Sequence, residues 1–191
     1  RDIGLTQDFW EYDPSTNGWM QKATFPGTAR YGAIGFSIGT KGYIGTGQDA
    51  NFNILDDFWE WDQASNIWMQ KTNFGGTARR WALGFCVANK GYIGTGVDAT
   101  GTPQKDFWEF DPSLNIWTQK ADHGGDTKYA AIGFSLGTMG YIVTGADTGT
   151  GKGFWEWDQT TNLWSQRPDF AGYPRYHSVG FNIGNKAYVG T

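Results

Sequence analysis

The sequence predicts an all-β protein built from repeated short strands, and three observations carry that expectation. Glycine and tryptophan are abundant, at 29 and 11 of 191 residues. No segment places apolar residues at the 3.6-residue spacing of an amphipathic helix. One sequence block returns four times along the chain. Glycine supplies tight turns and close backbone approach, and tryptophan supplies large buried area, so the pair describes many short strands.

The repeat is direct. DFWEYDPSTNGW at 8–19 returns as DFWEWDQASNIW at 57–68, DFWEFDPSLNIW at 106–117 and GFWEWDQTTNLW at 153–164. Its leading tryptophans are Trp10, Trp59, Trp108 and Trp155, at spacings of 49, 49 and 47. A second half recurs as well. ARYGAIGFSIGTKGYIGTG at 29–47 matches segments at 78–96, 127–145 and 174–191. Four units fill the chain, which predicts one domain over 1–191 with no linker. The units run over 24–72, 73–121 and 122–173, and the fourth joins 174–191 to 1–23.

Within a unit four strands follow in order. Strand a, Tyr31–Ile38, is rich in Gly and Ala, as a crowded inner strand must be. Gly39-Thr40-Lys41 turns into strand b, Gly42–Thr46, and a variable stretch, Gln48–Asp56, follows. Strand c is Asp57–Asp62, Gln63–Asn66 makes a turn, and strand d is Ile67–Thr72. A four-stranded unit of this length is one blade of a β-propeller.

The unit also resembles the kelch repeat. Gly45/Gly47 and Gly94/Gly96 match the glycine pair that ends strand b, here spaced Gly-Thr-Gly instead of Gly-Gly. Tyr12-Asp13, Trp61-Asp62, Phe110-Asp111 and Trp157-Asp158 match the aromatic-Asp pair of strand c. Trp19, Trp68, Trp117 and Trp164 open strand d, and Arg30, Arg79, Lys128 and Arg175 precede strand a. The Phe-Trp-Glu signature is most similar to bacterial kelch-like repeats. The chain opens on strands c and d and closes on a and b. Pairing of Asp8–Ala23 with Arg175–Thr191 would complete a fourth blade and remove two exposed sheet edges. A single-chain ring is therefore expected. The alternative is a homodimer forming an eight-bladed ring.

Composition narrows the partners. A net charge of −4 argues against nucleic acid, which calls for clustered positive charge. No apolar run approaches a membrane span. Cys86 is the only cysteine, so no intrachain disulfide and no cysteine zinc site can form. The first residue is Arg1, not Met, which suggests a processed or excised piece; a secreted or cell-surface setting is favoured.

Repeated residues read as architecture. Trp10 and Tyr12 should face one side of strand c and Phe9 the other, and likewise in each unit. Glu11, Glu60, Glu109 and Glu156 are expected in ion pairs between blades, with Lys22, Lys71, Lys120 and Arg167, or the Arg30 series, as partners. GYIGTG is not a phosphate loop, because no helix follows it.

The basic residues Arg30, Arg79, Lys128 and Arg175 also recur; they read as structural, as in the kelch pattern, or as a candidate ring of cations at one mouth, able to hold a carboxylate or phosphate. Departures from the repeat read as function. At the start of strand a stand Tyr31-Gly32, Arg80-Trp81, Tyr129-Ala130 and Tyr176-His177. Stacking on Trp81, with hydrogen bonds from Arg80 and His177, would suit a sugar. The b–c loops, 48–56, 97–105 and 146–152, are the second candidate surface, with Asp49, Asp98 and Asp147 shaping their turns. His123 replaces Phe25, Phe74 and Phe170 and is expected exposed. The expected function is a non-enzymatic binding scaffold for a protein or glycan, without cofactor or metal. The kelch resemblance also implies a carbohydrate-active alternative, similar to a sialic-acid mutarotase. It implies a copper oxidase only poorly, since Cys86 lies within a strand and histidines number two. A ligand-free designed or excised fragment is the third reading.

Overall fold

A computed structural model describes residues 4–190. Twenty strands and no helix occur among them. The first two strands, β1 (Trp10–Asp13) and β2 (Gly18–Gln21), pair as a hairpin. The first full blade comprises β3 (Arg30–Tyr31), β4 (Ile34–Ile38), β5 (Lys41–Gly45), β6 (Gln48–Asp49), β7 (Phe58–Asp62) and β8 (Ile67–Lys71). The second comprises β9 (Leu83–Val87), β10 (Lys90–Gly94), β11 (Phe107–Asp111) and β12 (Ile116–Lys120). The third comprises β13 (Lys128–Tyr129), β14 (Ile132–Leu136), β15 (Met139–Val143), β16 (Ala146–Asp147), β17 (Phe154–Asp158) and β18 (Leu163–Arg167). The last hairpin is β19 (Val179–Ile183) with β20 (Lys186–Gly190).

Each full blade is a four-stranded antiparallel sheet in chain order, β4-β5-β7-β8 being the first. Strand a is shorter than its sequence suggests. It breaks at Gly32, and the residues before the break pair separately, β3 with β6. The inner strands pack in series, β4 on β9, β9 on β14 and β14 on β19. Their glycines allow this. A Cβ on Gly133 would sit 2.6 Å from Phe85 Cδ1 in the preceding blade.

Aromatic joints bind neighbouring blades. Phe9 lies 5.0 Å from Trp61 and 5.1 Å from Trp68, centroid to centroid. Phe58 sits between Phe110 and Trp117 in the same way, and Phe107 between Trp157 and Trp164. Polar bonds reinforce each joint. Asn66 Oδ1 accepts from Ala23 N–H at 2.9 Å, and Trp68 Nε1 donates to Ala23 C=O at 2.9 Å. Asn115 with Trp117 holds Thr72, and Asn162 with Trp164 holds Ala121. The strand-c glutamates pair inside their own blades, not between blades as expected. Glu60 reaches Lys71 at 3.6 Å on the adjacent strand and accepts from Tyr43 Oη at 2.6 Å.

The expected single-chain closure is not present among the described residues. β1-β2 and β19-β20 are separate two-stranded sheets, with no ladder between them among the described residues. Residues 1–3 and 191, part of that expected fourth blade, lie outside the described residues. Both hairpins expose apolar groups that interior blades bury or half-bury: Trp19 is 69% exposed, and Phe181 is 53% exposed. One physical obstacle is local. Pro168 stands where Ala23 and Thr72 offer an N–H, so Asn17 would find no backbone donor across that joint.

Candidate binding mouth

The mouth is built from one backbone device used four times. Gly32, Trp81, Ala130 and His177 occupy the same repeat position and share a left-handed conformation, with φ of 62, 55, 51 and 53°. Trp81 N–H donates to Gly32 C=O at 2.8 Å, Ala130 N–H to Trp81 C=O at 2.8 Å, and His177 N–H to Ala130 C=O at 3.1 Å. A bulky residue is costly at such a φ, and the blade-to-blade bonds hold it there. The turn that breaks strand a thus brings four equivalent positions around one cavity of about 250 Å³.

The side chains there are already ordered against one another. The Arg80 guanidinium lies 4.1 Å from the Trp81 ring centroid. Tyr129 stacks on Trp81 at 5.7 Å, and His177 meets its edge at 5.5 Å. Tyr176 packs on His177 at 5.5 Å and is 62% exposed. Arg80 Nη1 donates to Tyr31 Oη at 3.1 Å and also to Gln48 Oε1, to which the Tyr31 hydroxyl donates. Arg80 Nε is buried without a hydrogen-bond partner among the described residues, as is Ser178 Oγ in the cavity wall. Sequence reasoning missed Ser178 and placed Gln48 in the b–c loop surface, not at the mouth, because neither residue type signals a site on its own. Trp81 carries two ring partners already, so it offers a ligand less free face than expected.

The expected ring of cations does not form. Arg30 spends Nη1 and Nη2 on Asp57 at 2.5 and 2.7 Å, and Arg79 spends its own on Asp106 at 2.5 and 2.8 Å. Burial pushes the Asp57 carboxyl up, but hydrogen bonds from Arg30 and Trp59 outweigh it and hold the carboxyl below its usual range. The guanidinium of Arg30 also bonds Thr46 C=O, and that of Arg79 bonds Thr95 C=O. The middle residue of Gly-Thr-Gly, held left-handed at φ 58° in Thr46 and 59° in Thr95, thus turns its carbonyl onto the clamp. Arg79 is fully buried, and Lys128, 1% exposed, lies 3.5 Å from Asp147 Oδ2. Arg175 packs over Phe170 at 4.8 Å and bonds Tyr173 C=O at 3.1 Å.

Two further expectations change or stand. His123 is not exposed: it is 1% exposed, wedged between Trp155 at 5.5 Å and Trp164 at 5.3 Å. Burial first, and Lys128 second, lower its pKa to about 3. The b–c aspartates do shape turns. Asp49 Oδ1 accepts from Asn51 and Asn53 N–H, each at 2.8 Å, and Asp98 and Asp147 repeat the pattern. Burial raises the Cys86 thiol, which donates to Ala88 C=O at 3.2 Å.

Four-stranded antiparallel sheets packed in series around a shared mouth define a β-propeller. The solved structure of YjhT is similar to this chain, with a TM-score of 0.74 and 14% sequence identity, over 91% of this chain and 68% of that one. At that identity the likeness shows the fold alone. No family model matches the chain, and no curated protein does.

Proposed function

We propose that this chain is a kelch-like, non-enzymatic binding scaffold. It presents the mouth around Trp81, together with the b–c loops, to a glycan or protein ligand. One observation carries the reading. The four equivalent turns converge on one cavity, and there the repeat departs most, with Arg80-Trp81 and Tyr176-His177 in place of Tyr31-Gly32. A rigid frame with variable groups at its mouth is a common way to carry a binding site. Exposed Phe52, at 76%, adds an apolar contact in the first b–c loop. Glycan-array binding tests the glycan form: a signal lost in Trp81→Ala supports it, and flat binding across the array discards it.

A further inference from the structure

The third blade breaks a clamp that the first two share. Asp57 accepts from Arg30 and from Trp59 Nε1 at 2.7 Å, and Asp106 accepts from Arg79 and from Trp108 Nε1 at 2.8 Å. In the third blade three of the four clamp positions change together. Gly153 replaces the aspartate, Lys128 the arginine and His123 the phenylalanine beneath it, while Trp155 is kept. No carboxylate stands at 153 to accept the Trp155 indole N–H.

The vacated place is open and faces donors. A Cβ at Gly153 would lie 3.4 Å from Trp155 Nε1 and 3.6 Å from Lys128 Nζ. The space continues into a cavity of about 510 Å³ whose wall includes Asp126, Asp147, Gln166 and Asp169 beside Lys128 and Trp155. None of the residues lining it lines the Trp81 mouth, and Asp147, Gly149 and Thr150 bring the third b–c loop to its wall.

Charge selects the ligand class. Asp147, at 3.5 Å, already answers the single cation of Lys128, and Asp126 and Asp169 add negative charge to the wall. An external carboxylate would enter against that field. A hydroxyl group would not: its oxygen accepts from the indole and ammonium donors and its O–H donates a hydrogen bond to a neighbouring carboxylate. We propose that this cavity is a second binding site, for a neutral polyhydroxylated ligand of monosaccharide size. One of its hydroxyls takes the place of the missing aspartate oxygens.

The indole N–H of Trp155 is the reporter. Protein labelled with ¹⁵N at tryptophan, its Trp155 signal assigned by Trp155→Phe, is titrated with glucose, galactose, mannose and acetate. The expected result is a saturable shift of the Trp155 signal with at least one sugar, Trp81 unmoved, and no such shift with acetate. Gly153→Asp supplies its own carboxylate. It should abolish the sugar shift while leaving the Trp59 and Trp108 signals in place, which also shows that the variant is folded. No saturable shift with any sugar, a shift with acetate alone, or a sugar shift that survives Gly153→Asp would each overturn the proposal. A failure of the mouth reading would show at Trp81 instead, so the two are separable.

Discussion

Arg79 grips Asp106 through two hydrogen bonds of 2.5 and 2.8 Å, with its guanidinium 4.8 Å from the Phe74 ring centroid and no surface exposed. The next residue, Arg80, turns the other way and lies over Trp81. Two consecutive arginines therefore divide the labour of the repeat. One holds strand c to the turn before strand a. The other belongs to the mouth.

His123 makes stability sensitive to acid. Its Nδ1 accepts from Gly125 N–H at 3.2 Å, so the folded state holds the neutral ring. The charged neighbours are Lys128 and Lys105, which both disfavour the imidazolium, against a backbone hydrogen bond at Asp126 that favours it. The folded pKa, about 3, lies below the ordinary 6.5. As pH falls from about 6.5 towards 3 the unfolded chain takes up a proton that the folded chain refuses, and stability is lost. His123→Phe, which copies the other units, should stabilise the protein by about 2 kcal/mol more at pH 5 than at pH 8, by urea unfolding. Equal effects at the two pH values would refute this.

The open ends predict unequal tryptophans. Trp68→Ala removes a ring packed on Phe9 and Phe25 and a bond to Ala23 C=O, at a cost of about 3–5 kcal/mol. Trp19, at the equivalent position, is mostly exposed. Trp19→Ala should stay within about 1 kcal/mol. Comparable losses in denaturant would mean that the terminal hairpins are buried after all.

Gly133→Ala forces a methyl against Phe85 and Leu83, whereas the equivalent Gly35 has only Tyr43 O, at 3.7 Å, in reach. The first substitution should cost about 1–3 kcal/mol, and the second should be tolerated. Thermal melts of the two variants decide it; a Gly35→Ala variant as damaged as Gly133→Ala would place a further blade on β4.

Much of this was legible in the sequence because a repeat states its own architecture. Spacing alone located the three full blades, the strand-c aromatics and the turn aspartates. The basic residue before strand a read as structural or as an anion site, and the clamp itself was hidden, since its partner, Asp57 or Asp106, lies 27 residues away in sequence. His123 read as exposed because nothing local shows that Trp155 and Trp164 close over it. The left-handed turn at Trp81 was hidden because only the first unit has the glycine that would signal it. The emptied clamp was visible in principle: comparison of the units shows Gly153, Lys128 and His123 changing together. Its meaning needed the carboxylate geometry of the intact blades.

The division between frame and mouth is tested most directly by unfolding Arg79→Ala beside Arg80→Ala in urea. The account predicts a loss of about 3–5 kcal/mol for Arg79→Ala, because Asp106 is left mostly buried without its partner. Arg80→Ala, which gives up a cation–π contact and hydrogen bonds at the mouth, should lose less than about 1.5 kcal/mol. An Arg80→Ala variant as destabilised as Arg79→Ala, or more so, would contradict it.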